Sequence, residues 1–357
     1  MGRYTQKLIE NLEKLDHKNQ YFVFLNGENF NEYKPKNLNF KKILANCPWY
    51  TIREQIKMPW LLNRYNLDLV HFLHFNVPFF YWKKFIVTIH DLILIHYPTI
   101  RGTTLNPLLY WLKFMVYKIV IATAIHRSQK IIAVSKFTKN DILKHYRVPH
   151  EKIIVTYEAC ENYCHISREK SDTILKKHGI IKPYLLYVGN AYPHKNLDKL
   201  IEEFLSSAVK DKYYLVLIGK EDYFYNSLKN SIASENAKKI IFPGYISDRD
   251  LDIVYRGACL YVFPSLYEGF GLPPLEAMAK GVPVLASDHP CLKEILEDSA
   301  YFIDVKQKGN IADGIKKIIF NNNLKHNLIK KGYRQCEKYR WSEMASKTLD
   351  SYIKYES

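Results

Sequence analysis

No stretch of this sequence runs eighteen apolar residues without a charge, so on that count no membrane-spanning helix is expected. The nearest approach is NPLLYWLKFMVYKIVIATAIH, Asn106 to His126, which Lys113 and Lys118 interrupt. We read it as a buried helix of an α/β domain. The competing reading is a face resting on a bilayer, with the lysines and Tyr110, Trp111 and Tyr117 at headgroup depth. Cysteine is scarce as well. The six, at 47, 160, 164, 259, 291 and 336, form no CxxC pair and no cluster with His at zinc spacing, so no metal site is expected. Scattered thiols in a chain without a signal-like start point to a reducing cytosol. A G-x-G-x-x-G is also missing, because Gly269-Phe270-Gly271 has no third glycine at the required place, which disfavours a dehydrogenase.

Acidic residues are in deficit, with 36 Asp and Glu against 52 Lys and Arg, a formal charge of +16. The deficit lies early: residues 1–180 hold 27 basic and 14 acidic side chains, net +13, leaving 25 and 22, net +3, for the rest. Such a bias draws a protein to something anionic, whether nucleic acid, an acidic leaflet or a phosphorylated substrate. Lys, Asn, Ile and Tyr are abundant throughout, so a compositional origin for part of the excess stays open. Apolar material is plentiful. At 357 residues, 47% hydrophobic and 25% charged, the chain suits two globular domains better than one core.

Apolar runs of strand length alternate with helical patterns, as expected of βα units around parallel sheets. The first series is LDLVHFLH (67–74), KFIVTIH (84–90), KIIAV (130–134) and KIIVTY (152–157). Ser135 follows the third run and is placed to cap a helix. The second series is YLLYVG (184–189), YLVLIG (214–219), IIFPG (240–244), LYVFP (260–264), VPVLAS (282–287) and AYFID (300–304). Between the two series, residues 159–182 are charged and aperiodic, which places the domain junction there. After Asn321 only helices are expected. The start is unusual for a doubly wound domain: MGRYTQKLIENLEKL opens directly on an amphipathic helix, with no strand before it.

The chemistry concentrates in the second series. In VGNAYPHKNL, Lys195 stands near a helix start that Asn196 is expected to cap, a setting that suits a phosphate. In YEGFGLPPLEAMAKGVPV, Gly269 and Gly271 let backbone approach a ligand, while Pro273 and Pro274 suit the first turn of a helix. Glu268 lies before that helix and Glu276 one turn into it. Amides and the helix end can therefore cradle a diphosphate while the two carboxylates accept from hydroxyls on either side.

These segments carry a resemblance. Residues 183–305 resemble the nucleotide-sugar domain of family 4 glycosyltransferases, retaining enzymes of the two-domain GT-B architecture. Glu268-GFGLPPL-Glu276 matches their EX7E signature without a gap, VGNAYPHKNL is similar to their G-x-x-x-P-R/H-K-N segment, and YISDRDL (245–251) is similar to the segment flanking the nucleotide base. REQIKMPWLL, DLVHF, VTIHDLI and AVSKFTKNDIL follow in family order. The resemblance implies α/β, GT-B: two Rossmann-like doubly wound parallel-sheet domains facing a central cleft, with the first strand of the N-terminal domain missing. Its implied boundaries are 1–165 for an acceptor-binding domain, 175–335 for the nucleotide-sugar domain, and 336–357 for a helix packing back on the first. Relatives carry a strand and glycine-rich loop ahead of GRYTQKL; here only Gly2 remains, and a truncated or mis-set start is expected.

It also implies roles. Lys195 would hold the donor diphosphate, Glu276 would accept from the ribose, and Glu268 would contact the transferred sugar. The amides of Phe270 and Gly271 would face sugar hydroxyls and the β-phosphate. His90 would face the sugar and acceptor. Gly189, Asn190, His194, Tyr245, Gly269 and Leu272 would complete the donor site, with Asn190 and His194 standing where many relatives carry arginine. Front-face attack is implied, the leaving diphosphate helping to deprotonate the acceptor, with no metal or cofactor. The reaction implied is hexose transfer from a nucleotide-sugar, GDP-mannose preferred over a UDP-sugar, to a glycan or polyprenyl-linked acceptor. Peripheral contact with anionic membrane on the cytoplasmic side is expected, and nucleic acid is not expected as a partner. The alternatives are a nucleotide-sugar epimerase or hydrolase of the same architecture, or a non-catalytic sugar-nucleotide-binding subunit.

Overall fold

The computed structural model describes residues 2–48, 51–98, 106–161, 168–233 and 237–353. Cys164 lies outside them. The chain forms two compact units: unit 1 is Met1–Leu92, Pro107–Glu158 and Arg340–Ser357, and unit 2 is Ile93–Asn106 and Ala159–Tyr339.

Unit 2 is built on six parallel strands: β7 (Tyr184–Val188), β8 (Tyr214–Ile218), β9 (Ile240–Gly244), β10 (Leu260–Phe263), β11 (Val284–Ser287) and β12 (Tyr301–Ile303). Their spatial order is β12-β11-β10-β7-β8-β9. Every residue from Tyr184 to Tyr187, Leu215 to Ile218 and Leu260 to Phe263 is buried, as strands covered on both faces require. The chain winds outward from β7 through β8 to β9, then returns to the other side of β7 with β10. That reversal makes β7 and β10 neighbours, with Leu260 opposite Leu185, and opens a crevice at their carboxyl ends.

Unit 1 carries two parallel sheets. β3 (Val70–Phe72), β4 (Phe85–Ile89), β5 (Lys130–Ala133) and β6 (Ile153–Val155) lie in sequence order, while β1 (Tyr21–Leu25) pairs, among the described residues, with β2 (Phe40–Leu44) alone. Both β1 and β2 escaped the sequence reading. They follow the expected opening helix, Gly2–Leu15. Between the two sheets the Tyr352 ring lies 5.6 Å from His71 on β3 and 6.5 Å from Tyr21 on β1. Tyr352, from the Trp341–Ile353 helix, also bonds His71 Nδ1 at 2.6 Å, and His71 Nε2 reaches Thr88 Oγ1 at 2.8 Å. Tyr4 of the opening helix meets the same Thr88 hydroxyl at 3.3 Å. First helix, last helix and sheet thus share one buried polar chain. Ser135 caps the Lys136–His145 helix as expected, its Oγ accepting the Thr138 N–H at 2.9 Å.

The apolar run after Asn106 corrects the reading made of it. The helix forms, Pro107–Arg127, but only one side is backed by unit 1, through Tyr110, Phe114, Ile121, Ala124 and Ile125. Leu108, Leu112, Met115 and Ile119 are exposed. A helix apolar all round reads as buried all round; here the side that carries Leu112, Met115 and Ile119 is exposed. Among those residues Leu108–Arg127 is also long and apolar enough to cross a membrane, despite its two lysines.

Candidate donor site

The crevice at the reversal point brings together two loops far apart in sequence. After β7 the chain runs through Gly189 and Asn190 to a 3-10 turn, Pro193–Lys195. After β10 it runs through Ser265 and Leu266 to Glu268. The Leu266 N–H bonds the His194 carbonyl at 2.7 Å, locking one loop to the other. Lys195 Nζ then donates to Glu268 Oε1 at 2.6 Å, with the two side chains only 12% and 10% exposed. The ammonium also lies 5.6 Å over the Phe263 ring. A positive and a negative group so close and so little hydrated are mutually compensating; each is costly to bury alone.

Asn196 differs from expectation. Its backbone is left-handed, φ 59°, and its side chain does not cap the Leu197–Ser206 helix; Nδ2 donates to the Pro264 carbonyl at 3.3 Å. The asparagine therefore ties the β7 loop to the β10 loop. Asn190 is exposed, its carbonyl accepting from the Tyr187 hydroxyl at 2.8 Å. Gly189 accepts from the Tyr225 hydroxyl at 2.8 Å, and its N–H bonds Ile218 O at 2.9 Å.

Gly271 leads the Leu272–Ala279 helix with φ 96°, and a Cβ there would fall 2.6 Å from Leu292 Cδ2. Only glycine satisfies both demands. Leu272, Pro273 and Pro274 form the first turn as expected. The prolines carry no N–H, so the donors of this helix end are confined to its other residues. Gly269 and Phe270 are buried, Phe270 edge-on to Tyr339 at 5.8 Å. Glu276 accepts from the Tyr255 hydroxyl at 3.3 Å. Tyr255 adjoins Tyr261, 5.7 Å between centroids, and Tyr261 adjoins Phe263 under Lys195 at 6.0 Å. An aromatic floor thus joins the elements that carry the two acids. Tyr245 stands exposed just past β9.

Burial governs the electrostatics. It holds the His194 imidazole down at about 4, with Lys195 adding to the effect and Glu268 opposing it, so this ring is uncharged at neutral pH. Burial raises the Tyr187 and Tyr261 phenols well above their ordinary value, with neighbouring tyrosines and Glu268 adding to the rise. Among these groups Lys195 is the cation. Tyr187 and Tyr261, in strands, and Tyr255, on the Asp248–Gly257 helix, were missed in the sequence, where a tyrosine in an apolar pattern reads simply as core.

His90 belongs to unit 1, at the end of β4. Its Nδ1 lies 3.3 Å from Glu158 Oε1 and its Nε2 3.1 Å from the Leu73 carbonyl. Tyr4 meets its ring edge-on at 4.9 Å. Burial, with His90 adding, lowers His71 to about 3 and His74 to about 4. Glu158 was not anticipated; its signal is a carboxylate just past the strand KIIVTY.

Two parallel-sheet units, the second with a lysine–carboxylate pair at the reversal of its strand order and a glycine-led helix beside it, define a glycosyltransferase of GT-B architecture. Comparison with known proteins gives the family. The family described as "Glycosyl transferases group 1" matches residues 170–335 and "Glycosyltransferase Family 4" matches residues 1–160. The O-antigen chain mannosyltransferase RfbU of Salmonella typhimurium is 30% identical over 271 residues, 76% of this chain and 70% of that protein. O-antigen chain mannosyltransferase B of Escherichia coli is 25% identical over 312 residues, 85% of this chain and 78% of that protein. A solved sucrose-phosphate synthase from Thermosynechococcus elongatus superposes with a TM-score of 0.76 at 17% identity, covering 98% of this chain and 92% of its own. The chain belongs to the group 1, family 4 glycosyltransferases.

Proposed function

We propose that the chain is a retaining mannosyltransferase that takes GDP-mannose as donor and a glycan or polyprenyl-linked sugar as acceptor. The observation that carries this reading is the Lys195–Glu268 pair at 2.6 Å in the reversal crevice. A diphosphate entering there competes with Glu268 for the ammonium. As Lys195 passes to the β-phosphate, the carboxylate is released to accept from a hydroxyl of the transferred sugar. Glu276 accepts from the ribose, and the backbone at Phe270, Gly271 and Leu272 approaches the phosphate closely. Gly189, Asn190, His194, Gly269 and the exposed Tyr245 ring line the remainder of the donor.

In the reaction the C1–O bond to the diphosphate breaks while a C1–O bond to the acceptor forms on the same face of the sugar. The acceptor proton goes to the departing phosphate oxygen, giving GDP and the mannosylated acceptor. Lys195 and the peptide dipoles meet the charge that develops on the leaving group. His194, uncharged, adds none and can offer one N–H. No metal is expected, because a fixed ammonium and dipoles supply the same stabilisation. His90 is assigned to hydroxyls of the sugar or acceptor; its Nε2 would exchange the Leu73 carbonyl for that partner. The choice of mannose rests on two relatives that are O-antigen chain mannosyltransferases, and the choice of guanine on the family resemblance alone. A lipid-linked acceptor would place the enzyme on the cytoplasmic face of the plasma membrane, with no nucleic-acid partner.

The test is a thermal-shift panel of GDP-, UDP- and ADP-sugars followed by turnover of the best binder. A Tm that rises with GDP-mannose concentration supports the reading, and a rise with UDP-sugars alone removes the mannose assignment.

A further inference from the structure

Three segments of unit 1 hold bulky apolar side chains out in solvent. On the Ile52–Asn63 helix, Ile52, Ile56 and Trp60 recur at i, i+4 and i+8 as one stripe, Ile52 being 80% exposed. On the Pro107–Arg127 helix, Leu108, Leu112, Met115 and Ile119 form a second stripe, Leu112 being 61% exposed. In the turn before β4, Phe80 and Trp82 project, Trp82 being 73% exposed.

Specific bonds join the three. Gln55 Oε1 accepts the Phe79 N–H at 2.7 Å, and Glu54 Oε2 accepts from Asn76 at 2.9 Å, tying the first helix to the turn. Arg127 donates to the Phe79 carbonyl at 2.7 Å and to the Tyr81 carbonyl, and its guanidinium lies 4.1 Å over the Trp82 ring, tying the turn to the second helix. Tyr117 meets Phe75 edge-on at 5.0 Å. The stripes therefore belong to one connected block.

Charge indicates what covers it. Residues 52–64, 79–84 and 108–127 hold eight Lys and Arg and one acid, Glu54, which is itself buried. The Lys118 ammonium lies 5.0 Å over the Phe114 ring and the Arg64 guanidinium 4.7 Å over Trp60, so cations are interleaved with the rings of this block. Tryptophan, aliphatic stripes and unbalanced cations together match a bilayer interface with anionic headgroups. A second copy would set eight like charges against eight.

We propose that this block is a docking surface for an anionic bilayer, its apolar stripes at the acyl boundary and its cations at the headgroup phosphates. The Pro107–Arg127 helix lies in that interface rather than across it, since Phe114, Ile121, Ala124 and Ile125 are buried in unit 1. The proposal rests on the glycosyltransferase reading only for its purpose, access to a lipid-linked acceptor; the docking itself is measured without turnover.

The full chain is floated with phosphatidylcholine vesicles containing about one third phosphatidylglycerol, and with pure phosphatidylcholine, in low and high salt. Expected is flotation with the anionic vesicles at low salt, release by high salt or alkaline carbonate, and a blue shift of tryptophan fluorescence on binding. Leu112→Asp and, separately, Ile56→Glu should each cut flotation about tenfold or more while GDP binding stays at the wild-type value. Absence of flotation with anionic vesicles overturns the proposal, as does equal flotation of both charged variants. Carbonate resistance would show a spanning helix, and a dimer dispersed by Leu112→Asp without vesicle binding would show a second copy; either overturns it. Lost GDP binding in the wild type, with flotation intact, would instead refute the donor reading alone.

Discussion

Breaking the Lys195–Glu268 pair should cost stability as well as activity, and the two losses separate by design. At 2.6 Å the attraction is about 6 kcal/mol at an effective dielectric of about 20, offset by the desolvation of two side chains only 12% and 10% exposed. Removing one partner strands the other, which typically costs roughly 3–5 kcal/mol. Lys195→Met and Glu268→Leu should therefore each lower the melting temperature of unit 2 by roughly 6–20 °C. The double variant buries no lone charge and should recover most of that loss, giving a coupling energy of about 2 kcal/mol or more. Turnover should be absent from all three. The assay is thermal and urea unfolding, with hydrogen exchange reporting units 1 and 2 separately, beside a transfer assay. Wild-type stability in both single variants, or additive losses in the double, would refute the reasoning that the pair is buried and mutually dependent.

Acid should destabilise both units through histidines buried uncharged. His71 and His74 in unit 1 and His194 in unit 2 are held at about 3, 4 and 4, below the unfolded value of about 6.5, so the unfolded chain takes up protons first as pH falls. Their contribution is whole above pH ~6.5 and falls by about 2 kcal/mol per histidine between pH 7 and pH 5, more in unit 1 than in unit 2; a flat stability profile over that range would contradict the burial. Gly271→Ala, combining φ 96° with a Cβ 2.6 Å from Leu292, should cost about 1–3 kcal/mol and donor affinity together, read by calorimetry and GDP titration; a silent substitution would mean the turn can relax. Glu276→Ala should lower kcat/KM about 10- to 100-fold, read by steady-state kinetics, the Tyr255 hydroxyl that reaches the carboxylate at 3.3 Å remaining in place; unchanged kinetics would remove its assignment to the ribose.

Of the twelve strands among the described residues ten were legible as apolar runs, because strands packed within a parallel sheet are apolar along most of their length. The two that escaped, YFVFL and FKKIL, are a half-buried pair, and the two lysines inside FKKIL break the apolar signal. The EX7E segment announced its glycine-led helix because Gly and Pro have fixed conformational meaning. The bond between Lys195 and Glu268 was not legible in the same way: 73 positions separate them, and only the strand order that sets β7 beside β10 brings them together. Asn196 looked like a cap because its sequence position suits one; its left-handed backbone redirects the side chain to Pro264. The Pro107–Arg127 helix was misread for a related reason, since composition reports how apolar a helix is and not which of its sides has a neighbour.

Titration calorimetry of GDP against wild type, Lys195→Met and Glu268→Gln tests the central claim most directly. If the donor diphosphate replaces Glu268 as the partner of Lys195, GDP binding weakens about tenfold or more in Lys195→Met and is retained or tightened in Glu268→Gln, where the ammonium no longer has to leave a carboxylate. Equal affinity in wild type and Lys195→Met, or loss of GDP binding in Glu268→Gln with its fold intact, would contradict it.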